Sequence, residues 1–204
     1  ESSKIYMVGN ILMDTLRFNH QRFARPAVMD NLGLTEKRYI VFTLNRKAII
    51  GNDDELRALL VSMMSHTGDI PVVAPLRQLA ADAVQCIVNE NPLLFENLHI
   101  VEPLDYLHFG YLTSNALGVV TDSGNVAEEA TFNTVPCITL NSYTEHIETV
   151  KVGSNVLVGE DPVLLGEEMA RMVDGKWKHC GIPERWDGRS AERIVQTLLE
   201  CAAK

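Results

Sequence analysis

Apolar residues in this chain fall into short runs that alternate with stretches where they repeat every three or four positions. The run Arg38–Leu44 (RYIVFTL) is β-branched and aromatic between polar flanks, which predicts a buried strand. KIYMVG near the start, Ile70–Pro75 (IPVVAP), LHIVEPL, LGVVTD, PCITLN and SNVLVG predict further strands. Helical spacing fills the gaps. Ile11, Leu12, Thr15, Leu16 and Asn19 follow the first run. Asp53 and Asp54 open a helix with Leu56, Leu59, Leu60 and Met63 on one face. Leu79, Ala83, Val84, Ile87 and Val88 form another stripe, and Asp105 is an N-cap for DYLHFGYLTSNA. The tail from Ser190 to Ala203 carries Ile194, Leu198 and Cys201 on one face, while Gly175–Gly188 has no period and reads as a surface wrap.

Strand and helix thus alternate from end to end. Right-handed βαβ crossovers then give a doubly wound, Rossmann-like α/β domain spanning 1–204, its mainly parallel sheet covered by helices on both faces. With 204 residues, 46% of them hydrophobic, the chain is long enough for one such core. A net charge of −9 argues against nucleic acid as the main partner, because a phosphate backbone requires clustered Lys and Arg. A small anionic ligand needs only a local field. Cys86, Cys137, Cys180 and Cys201 form no CxxC pair, which reads as reduced thiols of a cytoplasmic protein with no metal site. No apolar run reaches membrane-span length, and ESSKIYMVGN lacks both a leader pattern and an initiator Met, as expected of a piece of a longer protein.

Candidate chemistry concentrates at Asp122-Ser123-Gly124, where a strand ends and a helix begins. In open parallel sheets ligands bind beyond the carboxyl ends of the strands. Ser123 is placed to cap the helix, and Gly124 to let a ligand approach the backbone. The first N–H groups of a helix lack intrahelical partners and favour an anion, so a phosphate fits here. Glu128 and Glu129 follow about one and a half turns later and point roughly 100° apart. One can accept hydrogen bonds from vicinal hydroxyls, while the other orients a neighbour or faces solvent. Together these features match a nucleotide diphosphate. Asp-Ser-Gly is equally a common turn and cap sequence, so local chemistry alone leaves both readings standing.

The motifs extend the picture. DSGNVAEEATFNTVPCITL (Asp122–Leu140) resembles the DSGGxxEEAxxxGxPxLxL segment of UDP-N-acetylglucosamine 2-epimerases. VGNILMDTL, EPLDYLHFGYLTSNALGVVTDSG, YTEHIETVKVGSNVLVG and WDGRSAERIVQTL are similar to further segments of that family in the same order. The resemblance implies the C-terminal half of a GT-B fold, whose cleft lies between two Rossmann-like domains. It also implies that the terminal helix over 189–204 packs on the N-terminal domain and that the protein forms a homodimer. The ligand it implies is a UDP-sugar, with no cofactor, no metal, no membrane and no nucleic acid.

By the same resemblance Ser123, Gly124 and Asn125 hold the diphosphate, Glu129 holds the ribose, and Phe109 makes a largely backbone contact with uracil. The family's GHRxEN motif survives here only as Asn45-Arg46, placing Arg46 near the phosphates and a neutral Asn45 where the family has histidine. Ala74 falls at about the position of a second family histidine, and His146-Ile147 stands for an Arg-Pro. Arg46 reads equally as a solvated charge beside a strand, and His146 as a helix-surface residue. The acid/base carboxylates belong mainly to the N-terminal half, so the catalytic residues are not assigned within this chain. Three readings remain open: the nucleotide-binding half of an epimerase, a diverged binding module, and a hydrolysing epimerase or glycosyltransferase relative.

Overall fold

The structure, a computed structural model, describes residues 5–203. Six strands, β1 (Ile40–Phe42), β2 (Val72–Pro75), β3 (Leu98–Val101), β4 (Gly118–Thr121), β5 (Cys137–Thr139) and β6 (Asn155–Leu157), form one sheet in the order β3-β2-β1-β4-β5-β6. Every pairing is parallel, with Ile40 opposite Val72 on one side and Gly118 on the other. The winding direction reverses between β1 and β4. Crossovers on the two sides of that point leave on opposite faces, which opens a crevice beyond the strand ends.

Strand alternation supplies two cores. Ile40, Phe42, Val72, Ala74, Val120 and Ile138 face one layer, built from α4 (Asp53–Ser65), α5 (Gln78–Glu90) and α9 (Pro162–Val173). Tyr39, Val41, Val73, Val119 and Cys137 face the other, built from α2 (Ala27–Asn31), α6 (Tyr106–Ser114) and α7 (Gly124–Phe132). A short helix α3 (Lys47–Ile50) follows β1, and α8 (Ile147–Lys151) precedes β6. Met13 and Leu16 of α1 (Ile11–Asn19) bury against Trp186 from the irregular segment. Asp14 of α1 accepts from the amides of Ser190 and Ala191, and so caps α10 (Ser190–Ala202) from outside.

Some sequence expectations need correction. KIYMVG forms no strand: Lys4 lies outside the described residues, and Ile5–Gly9 run unpaired beside α10. Side chains take the place of a ladder, with Arg185 donating to the Met7 carbonyl and Arg193 to that of Val8. Gly9 is required on that path, since its φ is +104° and a Cβ would sit 2.4 Å from the Arg185 carbonyl oxygen. α4 does begin at Asp53, and Asn52 caps it through the Glu55 amide. The buried stripe of α5 is Ala80, Val84 and Ile87, with Leu79 exposed. In α10, Ile194, Leu198 and Cys201 are uncovered.

One buried polar chain fixes the loops near the strand ends. Thr139 donates to Asn155 Oδ1 at 2.6 Å, the Asn155 amide reaches Thr149 Oγ1 at 3.2 Å, and Thr149 donates to the His146 carbonyl at 2.7 Å. Asn155 and Thr149 are fully buried, so their polar atoms have no water to fall back on. Thr139→Val should therefore lower the unfolding free energy in urea by about 1–3 kcal/mol. Thr139→Ser should recover most of the loss, and a Thr139→Val midpoint equal to wild type would contradict the network's role.

Candidate functional site

The crevice at the β1–β4 switch is organised by Asp122. Its Oδ2 accepts from the amides of Asn45 at 2.7 Å and Arg46 at 2.5 Å, which ties the loop after β1 to the loop after β4. The Asn141 side chain donates to the Asp122 carbonyl at 3.1 Å and adds the loop after β5. Three strand ends are thus held by one acid and one amide. Asp122 is only 7% exposed, and its Oδ1 finds no donor among the described residues.

Ser123 occupies the N-cap position of α7 with extended backbone, but its hydroxyl makes no capping bond, contrary to expectation. Its amide instead donates to Thr121 Oγ1 at 3.0 Å. The first helical bond is Ala127 N–H to the Ser123 carbonyl, so the amides of Gly124, Asn125 and Val126 have no acceptor among the described residues. The nearest atom to a Cβ built on Gly124 is His146 Cδ2 at 3.9 Å. The fold itself therefore places no demand on glycine here, and the space above the amides is open.

Two pockets flank this helix start. One, of about 220 Å³, brings Asn45, Phe109 and Ser123 together with Val126, Pro103 and Arg77. The other, of about 240 Å³, holds Gly124 and Asn125 with Asn141, Glu145 and His146. Helical geometry divides the glutamates between the two sides. Val126 and Glu129 share the α6 side, where Glu129 is close enough to add to the effect of burial in raising Tyr106 to about 12. Glu128 faces the other side, accepting from the Asn10 side chain and lying 3.2 Å from His146 Nδ1.

Both glutamates are buried, at 3% exposed for Glu128 and 8% for Glu129, so neither faces solvent. Burial raises the pKa of Glu128, against the lowering effects of the Asn10 bond and of His146. Burial, with Glu128 adding to it, pushes Glu129 up to about 7. The Glu129 carboxylate accepts no hydrogen bond among the described residues. Glu129 lines neither of the two pockets, but a nine-tenths buried acid without a partner, one turn below bare amides, can accept from a hydroxyl that reaches it.

Other expected residues behave differently. Arg46 sits at the crevice, but its guanidinium is engaged by the Leu140 carbonyl at 3.0 Å, Asn141 Oδ1 at 2.7 Å and Glu160 at 2.7 Å. The Phe109 amide donates to the Asp105 carbonyl at 2.8 Å, so a base contact through that N–H is closed. His146 heads α8 and lines the Gly124 pocket instead of standing on an outer surface. Sequence reasoning missed Asp122 and Asn141 as the tie between loops, and Arg77 altogether. The signal for Arg77 was its position directly after a predicted strand end, where sheet ligands sit. No cluster of three or more His, Cys, Asp or Glu able to hold a metal occurs among the described residues, and no helix there is long and apolar enough to cross a membrane.

Known proteins resemble this chain over nearly its whole length. The UDP-N-acetylglucosamine 2-epimerase of Methanocaldococcus jannaschii is 32% identical over 209 residues, covering 97% of this chain and 55% of that protein. The UDP-2,3-diacetamido-2,3-dideoxy-D-glucuronate 2-epimerase of Pseudomonas aeruginosa is 32% identical over 202 residues, covering 98% of this chain and 54% of that protein. The solved M. jannaschii UDP-GlcNAc 2-epimerase superposes with a TM-score of 0.81 at 29% identity, over 98% of this chain and 57% of its own. A second structure of that enzyme, in complex with UDP-GlcNAc and UDP, gives 0.78 at 30% identity, over 98% and 56%. The chain therefore spans about half the length of the curated relatives it matches. The model of the UDP-N-acetylglucosamine 2-epimerase family matches residues 1–199, and the chain belongs to that family.

Proposed function

We propose that this chain is the nucleotide-binding half of an epimerase that interconverts UDP-N-acetylglucosamine and UDP-N-acetylmannosamine by elimination and re-addition of UDP. The carrying observation is the open N-terminus of α7 at the switch point, with three unpartnered amides and the buried, unpaired Glu129 one turn below. Amides aimed at a diphosphate stabilise it as charge grows on departure from the sugar. Glu129, on the α6 side near Tyr106, accepts from the ribose hydroxyls, and Glu128 holds His146 on the other side. A relative at 30% identity whose structure contains UDP-GlcNAc and UDP supports the same ligand class. The uncovered apolar face of α10 is the surface on which the other half of the enzyme packs, and that half supplies the acid/base carboxylates. The Pseudomonas relative names a different UDP-sugar, and Asn45 lines the pocket where the family motif has histidine. These two observations favour, as a second reading, a relative with altered sugar preference.

Calorimetric titration with UDP tests this directly. Gly124→Val fills the open space above the amides, so it should weaken UDP by about tenfold or more while unfolding free energy stays within about 0.5 kcal/mol of wild type. At about pH 8, where Glu129 has lost its proton, Glu129→Ala should also lose about tenfold, the cost of a charge-assisted bond. Equal UDP affinity in wild type and both variants would refute the site. Incubated alone with UDP-GlcNAc, the 204-residue chain should form no UDP-ManNAc by proton NMR, whereas turnover would place the acid/base machinery inside it.

The raised Glu129 also predicts a pH dependence. In the fold this acid keeps its proton to about pH 7, but in the unfolded chain only to about 4.3. The native state therefore binds more protons across that window, and this contribution to stability is lost as pH rises through it. Glu129→Gln stays neutral throughout. Its stability relative to wild type should grow by on the order of 3 kcal/mol between those limits, read from urea melts, and a constant difference would contradict the burial of an ionisable Glu129.

A further inference from the structure

We propose that Arg77, rather than Arg46, supplies the side-chain positive charge that holds the ligand's diphosphate in this chain. The inference rests on the reading of the α7 N-terminus as a nucleotide diphosphate site and adds the charge that site lacks. Arg46 is engaged elsewhere: Nη1 donates to the Asn141 side chain and the Leu140 carbonyl, and Nη2 pairs with Glu160. Glu160 in turn lies against Glu55, whose pKa is raised by burial and by the neighbouring Glu160 charge. Drawing Arg46 away toward a phosphate would leave two carboxylates facing each other without a cation, so the bridge resists release.

Arg77 stands in the opposite situation. It precedes α5 two residues beyond the carboxyl end of β2, the strand beside β1 at the switch point. Among the described residues its side chain makes no ion pair and no hydrogen bond, and it is exposed. It is the single charged side chain lining the pocket that contains Asn45, Phe109 and Ser123. The pocket on the other side of α7 contains Glu145 as well as His146. On a protein of net charge −9, a pocket whose one formal charge is positive and whose lining includes Ser123 and Val126 at the start of α7 offers favourable potential for an anion. A guanidinium can also grip phosphate oxygens in a bidentate manner that a neutral Asn45 cannot reproduce.

The test is calorimetric titration of wild type, Arg77→Gln, Arg77→Lys and Arg46→Gln with UDP and with uridine. Arg77→Gln should weaken UDP by about tenfold or more and change uridine by less than about twofold, because the charge meets only the phosphates. Arg77→Lys should retain part of the affinity as a point charge. Arg46→Gln should lower the melting temperature yet leave UDP affinity within about threefold. Wild-type UDP affinity in Arg77→Gln, or a parallel loss of uridine, would overturn the assignment while leaving the α7 site standing. If wild type binds uridine and UDP equally, or binds neither, the diphosphate site itself fails and Arg77 with it.

Discussion

The proposed ligand site depends on hydrogen bonds that the fold leaves unmade. The amides of Gly124, Asn125 and Val126 begin α7 with no acceptor among the described residues, at the point where the sheet reverses its winding. Unpaired amides are costly unless water or a ligand meets them, and the space above Gly124 is open enough for either. Asp122 holds this arrangement in place by drawing two amides of the neighbouring loop onto one carboxylate oxygen. The same acid that ends β4 thus sets the distance between the two walls of the crevice.

Charge is distributed around those amides with an evident polarity. The α6 side offers Phe109, the buried Glu129 and a pocket whose formal charge is positive. The α8 side offers His146 in contact with Glu128, itself tied to Asn10 at the start of α1. A ligand lying across the helix start would place a nucleoside toward α6 and its diphosphate over the amides. Its distal group would then meet the α8 loop, which is held by the Thr139–Asn155–Thr149 chain. Because Asn10 and Asp14 reach from α1 to α7 and α10, that wall of the site is coupled to the segment linking both ends of the chain.

The parallel sheet was legible because its strands are buried on both faces and so read as unbroken apolar runs, as at Tyr39–Leu44 and Val72–Ala74. KIYMVG carried the same composition yet forms no strand, since arginine side chains from a distant segment satisfy its carbonyls. Composition alone holds no information about that. The start of α7 at Ser123 and Gly124, just beyond β4, could be found from strand-end and helix-start chemistry. The capture of Arg46 by Glu160 could not, because those residues meet only through the tertiary fold, and the freedom of Arg77 is the other side of the same fact. Periodicity also placed the α10 apolar face correctly without revealing that this chain leaves it uncovered.

The most direct measurement is an amide-resolved NMR titration of the uniformly labelled chain with UDP. The account predicts the largest shift changes at the backbone amides of Gly124, Asn125 and Val126, saturating together with smaller changes at Asn45 and its neighbours. UDP-dependent shifts confined to other parts of the surface, with those three amides unmoved at saturation, would contradict it.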